Sequence, residues 1–177
     1  MLLADLPERW RHTVGVARRA EHLVGTLPDA ADEGTLLAAA WLHDIGYAEA
    51  LRDTGFHPLD GGLHLVGAGW PQRIAGLVAH HSEALCVAQV RGVGERLAEF
   101  PREHTAVADA LTYADQTVGP DGRGMEFDQR LLDMLRRHGP QSPNAAAHSR
   151  RAPRLRAAVQ RVEHRLSDTG GAVHLTH

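Results

Sequence analysis

Apolar positions recur at helical spacing along most of the chain and are interrupted by short Gly- and Pro-containing breaks. Pro7 to Leu27 predicts a first helix, with Pro7 suited to its start and Trp10, Val14, Ala17, Val24 and Leu27 on one stripe. His12 lies on the flank of that stripe and can point partly inward. Pro28-Asp29 ends this helix, and Asp32 or Thr35 can cap the next, whose apolar run Leu36 to Leu42 leads into His43-Asp44. That run buries the helix and carries its polar end inside the protein, while Gly46 lets the chain pass tightly behind it. Thr54 to Gly62 reads as a loop, placing His57 just before a helix that Asp60 caps. Pro71 to His81 is again helical, with Ile74, Leu77 and Val78 on one face and His80-His81 at its end.

The pattern from Ser82 to Phe100 is interrupted at Arg91-Gly92-Val93-Gly94. His104 to Gln116 forms another helix, with Ala108, Leu111 and Asp115 sharing a face. A Gly-rich loop, a short helix from Asp128 to His138, a linker from Pro140 to Asn144 and a basic helix from Pro153 to Arg165 follow, and Ser167 to His177 is expected to fray. There is no internal repeat and no strand-like alternation. The fold class expected is all-α, with residues 1–138 forming the main domain and 139–177 a basic helix and tail packed on it.

Composition narrows the chemistry. The chain has 177 residues, enough for one domain with a sizeable core. Its single cysteine, Cys86, allows no intramolecular disulfide and fits a reducing compartment. No uncharged apolar run approaches the roughly 20 residues that a membrane helix needs, and the first 12 residues lack the features of a secretory leader. A cytoplasmic protein without a membrane partner is expected. All 19 basic residues are arginine, so any anion clamp must use guanidinium, backbone N–H or metal. Residues 1–135 carry 11 Arg against 20 acids, whereas 136–165 carry eight Arg against Glu163 alone. Nucleic-acid binding by that basic segment is not expected, since it lacks aromatic side chains to stack on bases.

Histidine is abundant, with 13 residues. His12, His43-Asp44, His57, His80-His81 and Asp115 each fall at a predicted helix end or on a buried flank. A carboxylate beside an imidazole in an apolar setting needs a partner, and metal coordination is the usual one. Nitrogen and oxygen ligands without thiolate suit iron, manganese, cobalt, nickel or zinc. His22, His64, His138, His148, His164, His174 and His177 are assigned to surface or tail, and His104 to a solvent-facing helix start.

The ordered set resembles the HD superfamily of metal-dependent phosphohydrolases, with His43-Asp44-Ile45-Gly46 matching its His-Asp-Ile-Gly form, over roughly residues 8–130. Phe56 to Gly61, Val78 to Ser82 and Leu111 to Asp115 are most similar to the small bacterial diadenosine tetraphosphate hydrolases of the YqeK type. The resemblance implies that His12, His43, Asp44 and Asp115 hold one metal. It further implies that His57 and one of His80 or His81, preferably His81, hold a second, with Asp44 bridging. The expected cofactor is then a pair of divalent transition metal ions, and the expected activity is cleavage of a small, nucleotide-like phosphoester or phosphoanhydride by a metal-activated hydroxide. Asp44 is central to that chemistry, and His80 is the candidate donor to the leaving group. Many relatives place a lysine where this chain has Tyr47, so phosphate contacts are assigned to Tyr47, Arg73 and Arg123, with Arg18 and Arg19 as further candidates. A homodimer is compatible with such a domain. The same ligand pattern also serves di-iron oxygenases of the HD fold and non-catalytic metal-containing sensing domains.

Overall fold

The computed structural model describes residues 2–3 and 5–173, with side chains as far as Thr169. Nine α-helices run in the order α1 Pro7–Glu21, α2 Glu33–Leu42, α3 His57–Gly67, α4 Gln72–His80, α5 Ala84–Val90, α6 Gly94–Ala98, α7 Ala106–Gln116, α8 Phe127–His138 and α9 Pro143–Val173. Among the described residues the only β pairing is a single antiparallel bridge between Val118 and Gly124. The all-α expectation is met. No described helix is long and apolar enough to cross a membrane.

Apart from a smaller cluster joining Phe127 and Leu131 of α8 to Leu155 and Val159 of α9, two large apolar clusters hold most of the helices. In one, Val16 and Ala20 of α1, Leu36 and Ala39 of α2, Leu77 of α4, and Val107 and Leu111 of α7 meet Val162 of α9. In the other, Leu59 and Leu65 of α3 pack with Val78 of α4, Val87 of α5, Leu97 of α6 and Ala147 of α9. Both clusters contain residues of α4 and α9, which tie the two halves together. Asp109 on α7 adds a polar fastening to α9, accepting from Arg161 Nε at 2.8 Å and Arg161 Nη2 at 2.6 Å, with Arg165 alongside. This forked geometry is one that guanidinium supplies and an ammonium cannot.

Three boundaries differ from the periodicity. The first helix stops at Glu21, followed by a 3-10 turn at Val24–Thr26, although Leu23 still points into the core. The imidazole of His22 turns back on the Arg18 carbonyl at 2.6 Å, marking that end. Helix α3 already begins at His57, because Pro58 sets its first turn. Asp60 therefore lies inside α3 and accepts from Thr54 N, Thr54 Oγ1 and Gly55 N at 2.7–3.0 Å, fastening the preceding loop instead of capping the helix.

Helix α9 starts ten residues before Pro153. The Ser142 hydroxyl caps it by accepting from Ala145 N at 3.1 Å. Pro153 is accommodated because both it and Ser149, whose carbonyl loses its helical partner, face solvent. The helix then runs through Val173, so most of the segment expected to fray is helical; residues 174–177 lie outside the described residues.

Gly46 is the tightest fastening near the centre of the molecule. A Cβ there would overlap the His57 carbonyl oxygen and the Gly61 amide nitrogen, both backbone atoms at the start of α3. Gly46→Ala is expected to lower stability by about 1–3 kcal/mol in urea denaturation, the scale of overpacking. Gly25→Ala, where nothing lies within 4 Å, should change it little.

Candidate metal centre

Helix ends deliver the polar side chains to one place. Helix α2 closes at Leu42, His43 keeps helical angles, and Asp44 leaves them at φ −99°, ψ 8°. Neighbouring side chains on a continuing helix would diverge by about 100°. The break lets both turn to the same centre. His81 follows the end of α4, where Ser82 (φ 51°) and Glu83 (φ 57°) take left-handed angles that non-glycine residues rarely adopt. Such strain needs surroundings that hold it. The Ser82 hydroxyl bonds the Asp115 carboxylate, and Arg102 grips Glu83 through both carboxylate oxygens at 2.9 and 2.8 Å.

Two groups result, His12–His43–Asp44 and Asp44–His57–His81, with the ligand atoms in each within 4.8 Å of one another. Asp44 belongs to both. Its Oδ2 lies 3.5 Å from His43 Nε2 and 3.9 Å from His12 Nε2, while Oδ1 lies 3.3 Å from His57 Nε2. His57 and His81 approach through their Nε2 atoms at 3.3 Å. Asp115 Oδ1 meets His12 Nε2 at 3.0 Å, and its other oxygen accepts from Ser82 and from Gln116 Nε2.

The ring orientations fit metal ligation. His12, His43 and His81 each direct Nδ1 to a backbone carbonyl, of Gly119 (3.1 Å), Ala40 (2.8 Å) and Val78 (2.6 Å) respectively. A proton on Nδ1 leaves Nε2 facing the centre as a lone pair, which is how outer hydrogen bonds orient metal-binding imidazoles. His43 Nε2 is fully buried without a hydrogen-bond partner among the described residues. A buried polar atom left in this way calls for an unseen partner. Together the groups form a buried site able to hold a metal ion.

Charge in the site is strongly coupled to burial. Burial opposes the charged form of Asp44, but His43, Arg9 and His57 overcome it and hold the carboxyl well below its usual range. Asp115 is held low in the same way, against burial, by His12 and Arg130. Burial also presses His43 toward neutrality, yet Asp44, Asp115 and the Ala40 carbonyl raise it to about 9. His57 and His81 are lowered, first by burial and then by neighbouring cations.

The structure therefore brings His12, His43, Asp44, His57, His81 and Asp115 together. Tyr47 is beside them, its ring stacked on His57 at 3.9 Å. Three other sequence assignments need correction. His80 turns away, its Nε2 on the Phe100 carbonyl at 3.1 Å, because the helix ends between it and His81. It lines a separate cavity of about 40 Å³ beside Arg102 and His104. Arg73 is drawn to Glu103 and Asp32, and Arg123 stands 88% exposed beside Asp121, so neither faces the centre.

Other arginines take their place. A cavity of about 260 Å³ opens from Asp44, His57, His81 and Asp115 and is walled by Arg9, Arg91, Arg130, Arg137, Arg151 and His138. Arg9 had a local signal, since it precedes His12 by three residues and shares its face of α1. Arg151 comes from the basic segment 136–165 and Arg130 from α8 just before it, where charge alone reads as a wet helix face.

Ligand roles and neighbours separate on substitution. Asp44→Ala is expected to empty both ligand groups and His81→Ala to deplete metal, whereas His80→Ala should keep the parent metal content; elemental analysis of protein purified without chelator checks all three. His43 carries a proton in the ion-free site below about pH 9 and must lose it to bind a cation. Titration with Zn²⁺ in buffers of different protonation enthalpy should then show release of about one proton near neutral pH, with affinity falling as pH falls. No family model, curated protein or solved structure matches the chain.

Proposed function

We propose that the chain is a metal-dependent phosphohydrolase of the HD type, acting on a small, nucleotide-like phosphoester or phosphoanhydride. One observation carries this reading: Asp44, the residue shared by two ligand groups, lines a cavity walled by arginine together with His57, His81 and Asp115. Anionic substrates suit such a wall, since guanidinium pairs with phosphate through two parallel bonds. A pair of divalent ions on His12, His43, Asp44, His57, His81 and Asp115 would supply Lewis-acid neutralisation of phosphoryl oxygens and a lowered pKa for attacking water. The native metal in this proposal is iron, manganese, cobalt, nickel or zinc.

The residues of the chain divide the remaining work. Arg9 lies over the Tyr47 ring at 4.2 Å, with Nη1 3.1 Å from Asp44 Oδ2, and is part-exposed to the cavity. It is the cation nearest the shared ligand and serves as the phosphoryl clamp. Tyr47 is pushed up to about 12, mainly by burial and by the carboxylates Asp44 and Asp115, against the opposing pull of Arg9. Its hydroxyl therefore stays protonated and keeps an O–H donor in the neutral range. Ser82 and Gln116 fix the outer oxygen of Asp115, leaving the inner one toward His12.

A phosphate-release screen over nucleotides and dinucleoside polyphosphates, with manganese, iron, cobalt and nickel supplied in turn, tests the proposal. Release is expected with one of these metals, and Asp44→Ala should reduce it to background. Arg9→Met should lower kcat/KM by roughly 10- to 100-fold, as loss of a charge-assisted hydrogen bond of about 1.5–3 kcal/mol implies. Fully metal-loaded protein that neither releases phosphate nor splits any of these compounds into smaller phosphorylated products, read by anion-exchange chromatography, would overturn the reading. Iron-loaded protein that consumes oxygen without releasing phosphate would replace it with an oxygenase.

A further inference from the structure

The arginines of α9 fall into two kinds. Arg154 meets Glu83, Arg156 meets Asp128, and Arg161 and Arg165 meet Asp109, while Arg150 faces solvent. Arg151 differs from all of them. It turns inward to the cavity, where its Nε donates to the Ser82 carbonyl at 2.8 Å and its Nη1 reaches Asn144 Oδ1 at 3.4 Å. Both acceptors are neutral, and no carboxylate among the described residues pairs with it. A part-buried guanidinium whose direct partners are neutral keeps donors for an anionic ligand.

Arg130 of α8 is likewise anchored through Nε to a carbonyl, although it also pairs at longer range with Asp115. Its Nε donates to the Val118 carbonyl at 3.0 Å, its Nη2 stays 3.8 Å from Asp115 Oδ1, and its side chain is 13% exposed. Each arginine is thus anchored through Nε to a loop carrying a metal-centre residue: Ser82 follows His81, and Val118 lies three residues beyond Asp115. Anchoring through Nε fixes the plane of a guanidinium and leaves Nη groups to meet a ligand. Burial lowers the Arg151 pKa, with the Asp115 carboxylate opposing the shift and Arg130 adding to it.

Resting on the hydrolase reading, we propose that Arg130 and Arg151 form a second anion position in the cavity, separate from the Arg9 clamp. This position holds a phosphate that is not the one attacked, so the preferred substrate carries at least two phosphate groups. Specificity for such a substrate is then written in α8 and α9, outside the segment that bears the metal ligands.

Calorimetric titration of chelated, metal-free protein with inorganic pyrophosphate tests the position without turnover. Arg151→Gln and Arg130→Gln should each weaken pyrophosphate binding by about tenfold, the loss of one charge-assisted contact, with Arg151→Lys intermediate because it keeps charge without the fork. Thermal melts of each variant identify any loss caused by misfolding. In the metal-loaded enzyme, Arg151→Gln should raise KM for a polyphosphate substrate about tenfold, change kcat less, and reduce its preference over a monophosphate ester. Unchanged pyrophosphate affinity in folded Arg130→Gln and Arg151→Gln would overturn the anion position. Weakened pyrophosphate binding in a protein that cleaves no phosphate compound would support the position and overturn the hydrolase.

Discussion

The constraint on which the rest depends is the burial of the Asp44 carboxylate, 3% exposed and surrounded by side chains from separate helices. An ionised carboxylate in such a place is strongly unfavourable by itself. His43 and Arg9 on Oδ2 and His57 on Oδ1 hold its charge in the ion-free protein. These partners arrive from α1, the end of α2 and the start of α3, so the relative placement of three helices is tied to one side chain. Removing one partner from a buried charged group leaves the other uncompensated, which is why such groups resist piecemeal change.

The helix ends follow from the same requirement. A helix interior presents side chains about 100° apart, so converging ligands are most readily gathered where the backbone stops being helical. Asp44 leaves α2, His57 begins α3, and His81 follows α4 through two residues in left-handed conformation. The strained turn at Ser82-Glu83 does two things at once. It aims His81 inward with His80 outward, and it presents Ser82 to both Asp115 through its hydroxyl and Arg151 through its carbonyl. The geometry of the candidate metal site and the charge of the cavity are therefore linked by one short segment.

Much of this was open to sequence reading because helix breaks are local. Gly46 and the apolar run before His43 mark their own positions, and histidines lodged among apolar residues stand out from those on charged faces. What sequence does not carry is pairing at a distance. Arg73 lies close in sequence to His80-His81 but is captured by Asp32 and Glu103. Arg151 lies 69 residues from the Ser82 carbonyl that orients it. Both are arginines on helices, and only the location of acids in three dimensions separates them. Helix α9 was misread at its start for a related reason: Pro153 is a good first-turn signal, and only its solvent exposure shows that a longer helix can absorb it.

The absence of lysine gives the basic C-terminal region a more definite part than its net charge suggests. An ammonium on a flexible stem can pair with an acid but cannot anchor one N–H to a carbonyl while presenting a rigid fork elsewhere. Arg130 and Arg151 use guanidinium in that divided way, whereas Arg161 spends its fork on Asp109 to fasten α9 to α7. One helix thus carries arginines of opposite use, some closing the structure and one facing the cavity. The ion pairs of Asp109 fasten α9 to the helix that bears Asp115, and the same α9 brings Arg151 to the cavity. The charge asymmetry of the chain is in this sense structural before it is functional: the acids of the first 135 residues bind most of the late arginines, and of the two on α9 without a carboxylate partner, Arg150 faces solvent and Arg151 the cavity.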